Sequence, residues 1–298
     1  MKQASFTGKK KIVFVVNPIS GVGKQKEIEK QVEKYLDTTA FDYSIMYTER
    51  AGHATEISKD AVEKGLDAVI AVGGDGTINE TAQGLVGSKT ALGIIPTGSG
   101  NGLSRHLKIP MNMAKAICIL NQFKTKYIDT ATLNDNLFVN VAGVGFDAKV
   151  AKEFAKSGKR GFRKYFNIAT SAYAHYKPRT YTMVIDGEEI TRKALMISFA
   201  NSGQFGNNTS IDPKAKLDDG FIDVCIVSKV PYWKTVFLAP LLFMKKFDQT
   251  PYVEIIQAKE VRLVRKKGKS GHVDGDPFVA GKNVHLKIQP LSLNVIIP

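Results

Sequence analysis

The first 130 residues alternate between short apolar runs and longer segments in which apolar residues recur at helical spacing. Residues 12–16, 68–72 and 91–95 form wholly apolar runs, which are typical of parallel strands covered on both faces. Parallel strands need long crossover connections, so the alternation predicts an α/β domain with a parallel sheet. The other predicted elements here are a strand at residues 41–47 and helices at residues 21–36, 53–64, 77–86 and 113–121.

The remainder of the chain has a different pattern. It predicts short strands at residues 137–141, 181–185, 194–200, 222–227, 253–256, 261–264, 284–288 and 293–297. Asp186-Gly187 is a strong hairpin-turn signal, and helices are predicted near residues 149–176 and 233–247. The pattern favours a mainly antiparallel β-sandwich or open barrel. We therefore expect an α/β domain at residues 1–129 and a β-rich domain at residues 130–289, with a final strand at about 290–298 that could return to the first domain.

The charge narrows the class of partner. Lysine and arginine number 42 against 28 acidic residues, so the net charge of +14 favours nucleic acid, phosphorylated small molecules or an anionic membrane. No apolar run approaches the roughly 20 residues of a membrane span, and two cysteines cannot form a disulfide framework. These features predict a cytoplasmic protein, with peripheral contact at the inner face of the membrane left open.

The most informative motif is Val72-Gly73-Gly74-Asp75-Gly76-Thr77-Ile78-Asn79-Glu80, which follows a predicted strand and opens a predicted helix. Its glycines allow close approach of the backbone to a bulky anion, and a helix N-terminus offers N–H groups to it. A carboxylate such as Asp75 beside phosphates indicates a bridging divalent cation. The alternative is a tight structural turn capped by Asp75 or Thr77.

Two similar loops also follow predicted strands: Asn17-Pro18-Ile19-Ser20-Gly21-Val22-Gly23-Lys24 and Pro96-Thr97-Gly98-Ser99-Gly100-Asn101-Gly102. Neither fits the Walker A motif or the dinucleotide-binding fingerprint. Parallel α/β sheets bind ligands at the carboxyl ends of their strands. We therefore expect all three loops to meet there as phosphate-binding loops.

In order and spacing, these three motifs resemble the diacylglycerol kinase catalytic-domain family of bacterial soluble lipid kinases and eukaryotic diacylglycerol, ceramide and sphingosine kinases. The resemblance implies ATP as phosphate donor, Mg²⁺ as catalytic cofactor and a lipid hydroxyl as acceptor. By position it assigns ATP binding to Asn17, Pro18, Ile19, Ser20, Gly21, Thr48, Gly74, Asp75, Gly76, Thr77, Ile78, Asn79, Glu80 and Ser99. Thr48 has little support from the sequence alone.

The resemblance extends into the second half. Asp147 in Gly143-Val144-Gly145-Phe146-Asp147 matches an acid that faces the substrate cleft, although it could equally be a helix N-cap. The segment 212–223 matches a structural magnesium site, which implies the side chain of Asp219 and the carbonyls of Lys216 and Phe221 as ligands; a plain Asp-Gly turn is the alternative. In His272-Val273-Asp274-Gly275-Asp276-Pro277, the resemblance implies Asp276 as the catalytic base, with Asp274 in support.

The sequence thus predicts a kinase that phosphorylates a lipid such as diacylglycerol or a sphingoid base, with Asp75, Asp274 and Asp276 as candidate catalytic acids. Alternatives are an NAD kinase-like phosphotransferase, whose downstream Asn-Glu pair is missing here, and a non-catalytic regulator. Basic clusters at residues 156–164 and 265–269 suit an anionic membrane, and nucleic acid is an unlikely partner because no recognition motif appears. The apolar stretch from Trp233 to Phe247 fits a core helix better than a lipid-facing lip. The identity of the lipid and the oligomeric state cannot be read from the sequence.

Overall fold

A computed structural model describes residues 8–20, 27–157, 162–206 and 209–298, which form two compact units. The first unit comprises the chain up to Gly98 together with Leu107–Tyr127 and Ser292–Pro298. The second unit comprises Ser99–His106 and Ile128–Leu291.

The first unit is built on a parallel sheet with the strand order β2-β1-β3-β4. Its strands are β1 (Lys10–Val16), β2 (Phe41–Tyr47), β3 (Ala68–Gly73) and β4 (Ala91–Pro96). Every residue of β3 and β4 is buried, whereas the edge strand β2 is largely exposed. The helices of this unit are α1 (Ile28–Tyr35), α2 (His53–Glu63), α3 (Asp75–Leu85) and α5 (Met113–Gln122). The predicted parallel α/β architecture is therefore confirmed.

The second unit consists mainly of two antiparallel sheets around a shared apolar core. One sheet has the order β18-β15-β8-β9, with β5 pairing with β18 and β6, and the other has the order β14-β13-β10-β7-β16-β17. The strands are β5 (Thr125–Leu133), β6 (Asn136–Phe138), β7 (Val141–Gly145), β8 (Arg179–Ile185), β9 (Glu188–Ala194), β10 (Met196–Ala200), β11 (Gln204–Gly206), β12 (Thr209–Ser210), β13 (Ile222–Val227), β14 (Val253–Ala258), β15 (Glu260–Arg265), β16 (Ser270–Val273), β17 (Asp276–Val279) and β18 (Asn283–Ile296). The predicted β-sandwich class is confirmed.

Four helices and a short 3-10 helix, Phe247–Gln249, accompany these strands. The helices are α4 (Gly102–His106), α6 (Phe146–Lys156), α7 (Phe162–His175) and α8 (Tyr232–Phe243). The single helix predicted near residues 149–176 is wrong, because α6 and α7 are separate, and residues 158–161 lie outside the described part of the chain.

The turn predicted at Asp186-Gly187 is confirmed, but the strand that follows it is β9 and not the strand predicted at residues 194–200, which corresponds to β10 and pairs with β7 and β13. Asp186 and Gly187 both have positive φ, +46° and +98°, and they join β8 to β9. The Asp186 carboxylate also accepts the N–H groups of Lys259 and Glu260. Because the Asp-Gly pair adopts these angles readily, the turn fixes the register of the hairpin.

Helix α8 is apolar on two sides but buried on only one. Leu238, Leu241 and Leu242 pack against an apolar cluster of the second unit. On the other side, Trp233 and Phe237 are 67% and 73% exposed. The prediction that the stretch from Trp233 to Phe247 is a core helix is therefore wrong for the outer face of the helix, which is exposed. Among the described residues, no helix is long and apolar enough to cross a membrane.

Candidate functional site

The loops that follow β1, β3 and β4 meet at the carboxyl ends of these strands. The Asn17 N–H donates to the carbonyl of Val72 at 3.1 Å, and the Thr97 N–H donates to the carbonyl of Gly73 at 2.9 Å. The Thr48 N–H donates to the carbonyl of Val16 at 2.9 Å, so the end of β2 lies beside this group.

Side chains also join the loops. Asn17 Nδ2 donates to Thr77 Oγ1 at 3.2 Å, and Asn17 Oδ1 accepts the N–H of Ile19 at 3.1 Å. The hydroxyls of Ser20 and Thr97 lie 3.1 Å apart, and both residues are buried. These bonds fix the first loop to the start of α3 and to the third loop.

Two glycines make the approach of the loops possible. A side chain at Gly73 would overlap Thr77, and a Cβ at Gly74 would lie 3.3 Å from Gly98 Cα. Neither residue has positive φ, so packing and not backbone conformation favours glycine here. A side chain at Gly73 does not fit, and one at Gly74 would require the Gly98 backbone to shift by a few tenths of an ångström. The space that the glycines leave lets backbone N–H groups reach a bulky anion.

Helix α3 begins at Asp75, directly in this group of loops. Its N-cap residue is Gly74, which supplies no side-chain cap. The alternative considered above, a structural turn in which Asp75 or Thr77 caps the helix, is therefore not found here. An eleven-residue helix with this N-terminus presents N–H groups and a positive dipole end to an anion.

The other predicted nucleotide residues differ in exposure. Ile78 and Asn79 are buried in α3, and Asn79 Oδ1 accepts a bond from Gln83 at 2.6 Å. Ile19 is 72% exposed. Half-buried or exposed positions in this set are Pro18, Gly74, Asp75, Gly76, Glu80 and Ser99. Ser99 belongs to the second unit, and Gly21 lies outside the described residues.

In the second unit, Asp274 is a buried acceptor of backbone hydrogen bonds. Its Oδ2 accepts the N–H of Val139 at 3.0 Å, and its Oδ1 accepts the N–H groups of Asn140 and Val141 at 2.9 and 3.0 Å. The residue has φ +49° and is 9% exposed. This carboxylate therefore fixes the segment between β6 and β7.

Asp276 lies in a different environment. Asp274 and Gly275 both have positive φ and form the two-residue turn between β16 and β17, and Asp276 is the exposed first residue of β17. The two acids are thus separated by a turn. The turn divides them into a buried structural carboxylate and an exposed one.

Asp147 is buried in the first turn of α6 and connects three parts of the second unit. Its Oδ2 lies 3.0 Å from Ser198 Oγ, which donates to it, and 3.1 Å from His272 Nε2. His272 is buried as well, and its Nδ1 has no hydrogen-bond partner among the described residues. A side chain at Gly143 would overlap the Asp147 carboxylate, so glycine there leaves room for the cluster.

Sequence reasoning missed Ser198 and His272. His272 stands in the motif that contains Asp274 and Asp276, so proximity in sequence was an available signal for it. Ser198 lies inside an otherwise apolar strand, and nothing in the sequence connects it to Asp147. Thr97 was also missed, although its place between Pro96 and Gly98 at a strand end was a usable signal.

The predicted structural metal site lies in the turn before β13. Asp219 Oδ1 accepts the N–H of Phe221 at 3.1 Å. Nearby, burial and the Asp212 carboxyl raise the pKa of Asp223 to about 7, and Asp219 adds to this effect. No three His, Cys, Asp or Glu side chains of the described residues form a metal-binding group. Yet Asp219 and the carbonyls of Lys216 and Phe221 are all hard oxygen donors in a negative environment, which fits a divalent cation such as Mg²⁺.

Comparison with known proteins places both halves of the chain. The model of the family described as "Diacylglycerol kinase catalytic domain" matches residues 11–133. The model described as "YegS C-terminal NAD kinase beta sandwich-like domain" matches residues 140–297.

Relatives in sequence and in structure match nearly the whole chain. A diacylglycerol kinase of Mycobacterium tuberculosis is 28% identical over 97% of this chain and 95% of its own. A protein of Klebsiella pneumoniae named "Probable lipid kinase YegS-like" is 27% identical over 94% of each chain. The structure titled "Crystal structure of a putative diacylglycerol kinase from Bacillus anthracis str. Sterne" has a TM-score of 0.80 at 25% identity and covers 100% of this chain and 99% of its own.

The three backbone bonds of Asp274 predict a loss of stability on substitution. In Asp274→Asn, one carboxylate oxygen becomes an amide N–H₂ group that cannot accept the N–H bonds, so a buried donor loses its partner. We expect the free energy of unfolding to fall by about 1–3 kcal/mol. Urea denaturation measures the change, and Asp276→Asn, an exposed neighbour, should stay within about 0.5 kcal/mol of the wild type. Equal effects of the two substitutions would contradict the structural role of Asp274.

The oxygen donors around Asp219 predict a stability that depends on Mg²⁺. If Asp219 and the carbonyls of Lys216 and Phe221 bind the ion in the folded state alone, Mg²⁺ raises the melting temperature by mass action. Asp219→Ala should remove most of this increase. Thermal melts with EDTA and with increasing Mg²⁺ test this, with Asp42→Ala, an exposed acid of the first unit, as the control. A melting temperature of the wild type that does not respond to Mg²⁺ would rule out the site.

Proposed function

Because the chain belongs to the diacylglycerol kinase family, with matches to its catalytic-domain and C-terminal models, we propose that it transfers the γ-phosphate of MgATP to a hydroxyl group of a lipid. Diacylglycerol and a sphingoid base are the first acceptors to consider. The main support for this proposal is the group of three hydrogen-bonded loops at the carboxyl ends of β1, β3 and β4, in which α3 begins.

The nucleotide would bind through its phosphates at these loops. Gly74 and Gly76 leave room for the phosphate oxygens, and the N-terminus of α3 favours negative charge. Asn17 and Thr77 hold the first loop against that helix start, so the N–H groups are oriented before the ligand arrives. Phosphoryl transfer depends mainly on positioning and charge neutralisation, and the hydrogen-bonded loops would supply the positioning.

Mg²⁺ would neutralise the charge that develops on the phosphates. Asp75, the first residue of α3, is the acid of this unit that stands among the loops, and we assign it to the ion. The second, structural ion would be held by Asp219 and the carbonyls of Lys216 and Phe221.

We assign the role of base to Asp276. A base must accept a proton from the acceptor hydroxyl, and so needs an accessible oxygen. Asp276 is exposed, whereas both oxygens of Asp274 accept backbone N–H groups. The difference in environment favours Asp276 as the proton acceptor and Asp274 as the residue that holds the turn in place. Asp147 remains our candidate for contact with the substrate.

A lipid acceptor has to be taken from a membrane, and α8 offers a surface for this contact. Tyr232, Trp233, Val236 and Phe237 are each at least two-thirds exposed. The nearby cations Lys234, Lys245 and Lys246 would meet anionic headgroups, while the apolar side chains enter the headgroup–acyl boundary. We propose peripheral binding at an anionic membrane surface, from the cytoplasm.

Labelled ATP and a panel of lipids in mixed micelles test the function. We expect transfer to at least one of diacylglycerol, sphingosine and ceramide, and none to NAD. Asp75→Ala should lower kcat by about 10²–10³, the usual effect of removing one electrostatic stabiliser, with an unchanged melting temperature. Phosphorylation of NAD and not of lipids would favour the NAD kinase alternative. A folded wild type that transfers to neither would favour a non-catalytic protein, and near-normal turnover by Asp75→Ala would refute the nucleotide site.

Substitution of the candidate base separates the two acids of the turn. Asp276→Asn should lower kcat by about 10²–10⁴. We expect little change in KM for ATP, because we assign nucleotide binding to the loops of the first unit and proton transfer alone to Asp276. Asp276→Glu keeps a carboxylate and should remain active. Steady-state kinetics on one accepted lipid measure both. A normal kcat in Asp276→Asn would move the role of base to another acid.

The exposed face of α8 predicts a defect in membrane binding. The double variant Trp233→Gln/Phe237→Gln removes two apolar side chains that would be buried in the bilayer surface, each worth about 1.5–3 kcal/mol if fully buried. We expect binding to anionic vesicles to weaken at least about tenfold. The matched control Met46→Gln/Tyr127→Gln changes two exposed apolar side chains of the first unit and should bind normally. Equal binding by both double variants would exclude α8 as the contact surface.

A further inference from the structure

A basic pocket of about 290 Å³ lies within the second unit, between α6 and the ends of β8, β15 and β16. Its charged lining residues are Lys149, Lys152, Glu153, Lys156, Arg179 and Arg265. Five of these six side chains are cationic, so the lining carries a large excess of positive charge. Ligand sites usually span about 300–1,000 Å³, so this pocket is at the small end and would fit a ligand no larger than a single headgroup.

The cations of α6 lie on one face of the helix. Lys149, Lys152 and Lys156 follow one another at intervals of three and four residues, so their side chains are neighbours. Like charges at this spacing repel each other. Glu153 offsets only part of the repulsion, with a 3.6 Å contact to Lys149. The three ammonium groups therefore give this face of the helix a positive potential, which favours a bound anion.

Arg265 is a buried cation of this pocket, and a buried cation is stable only when an opposite charge or hydrogen-bond acceptors compensate it. It is 2% exposed, and its Nε and Nη2 both donate to the carbonyl of Gly281, at 3.0 and 2.9 Å. Among the described residues, no carboxylate forms an ion pair with it. Burial lowers its pKa and the nearby Arg179 adds to this effect, while the Asp147 carboxylate opposes it without forming an ion pair. An anion in the pocket would pair directly with the guanidinium.

Two buried tyrosines supply neutral donors beside these cations. The hydroxyls of Tyr176 and Tyr181 are near each other, and neither makes a well-aligned hydrogen bond within the described residues. Burial raises the pKa of both hydroxyls, so each keeps its proton at neutral pH. Tyr176 lines the pocket, is 4% exposed and stacks against Arg179, whose guanidinium is 5.2 Å from the ring centre. Its O–H is a buried donor without a fixed acceptor.

We propose that this pocket is a binding site for a phosphate-bearing anion, held by Arg265 and Arg179 at its base and by the lysines of α6 at its rim. A phosphomonoester carries a charge of about −1.5 to −2 and several acceptor oxygens, which matches a pocket with many donors and one acid. Arginine binds phosphate through paired N–H groups. The same chemistry is offered by the headgroup of an anionic phospholipid and by a soluble phosphate compound.

Direct binding without ATP or acceptor lipid tests the proposal independently of the kinase function. One arm titrates glycerol 3-phosphate and inorganic phosphate by calorimetry. The other measures sedimentation with vesicles of phosphatidylcholine, with and without phosphatidic acid. The test variant is Lys152→Gln/Lys156→Gln, which changes two exposed rim side chains and leaves the buried base intact. Its control is Lys193→Gln/Lys287→Gln, which removes the same charge from exposed positions of the second unit outside the pocket.

We expect the wild type and the control to bind in at least one arm, and the Lys152→Gln/Lys156→Gln variant to bind about tenfold or more weakly. Binding in the calorimetric arm identifies a soluble phosphate ligand, and binding in the vesicle arm alone identifies a membrane headgroup. Equal weakening by the control would indicate unspecific attraction and overturn the proposal. Unchanged binding by the test variant would also overturn the proposal, because it would mean that the phosphate binds elsewhere, for example at the glycine loops. Failure of the wild type to bind in either arm would overturn it as well. Kinase activity is measured separately. A wild-type protein that binds phosphate in this pocket but phosphorylates no lipid would refute the proposed function and leave the pocket assignment unchanged.

Discussion

The central strands of the first unit are buried on both faces, and this burial determines where polar chemistry can lie. Every residue of β3 and β4 is buried, so their side chains are committed to packing. Backbone and side-chain polar groups become available only where the strands end, and parallel strands end at one edge. The loops with Asn17, Gly74 and Thr97 therefore meet at this edge, where polar groups of the chain are not covered by the packing of the sheet.

In the second unit, buried carboxylates stabilise the backbone. Antiparallel strands joined by irregular segments leave backbone N–H groups without ladder partners, and buried carboxylates accept them. Asp274 accepts from the segment between β6 and β7, and Asp129 accepts from Gly220 and Leu291 at 2.8 and 2.7 Å. An acid in this unit is therefore not evidence of catalysis by itself. Exposure and hydrogen-bond partners are what distinguish Asp276 from Asp274.

The sequence was sufficient for the parallel sheet and for the convergence of its loops, because apolar runs and glycine-rich strand ends depend on local chemistry. It could not separate the roles of the acids at residues 274 and 276. Asp274-Gly275 is the same local turn signal as Asp186-Gly187, but the backbone N–H groups that the Asp274 carboxylate accepts belong to a segment 133–135 residues away in the sequence. Sequence reasoning also missed β9, whose sequence EEITRKA is charged because its strand is largely exposed. The cluster of Asp147, Ser198 and His272 joins residues from three distant segments, and no pattern along the chain records that proximity. For α8, apolarity predicted burial, but apolar residues also occur on surfaces that meet other phases.

The final strand has a consequence for biosynthesis. Strand β4 pairs with β3 on one side, and its other edge pairs with the end of β18, where Val295 lies opposite Leu92. Roughly 200 residues separate the two partners, which at about 5–20 residues per second takes a ribosome some 10–40 s. Throughout that interval a wholly apolar strand has an open edge, the feature most prone to pairing with other chains. The length of the second unit thus sets how long, during translation, this edge of the nascent first unit stays unpaired.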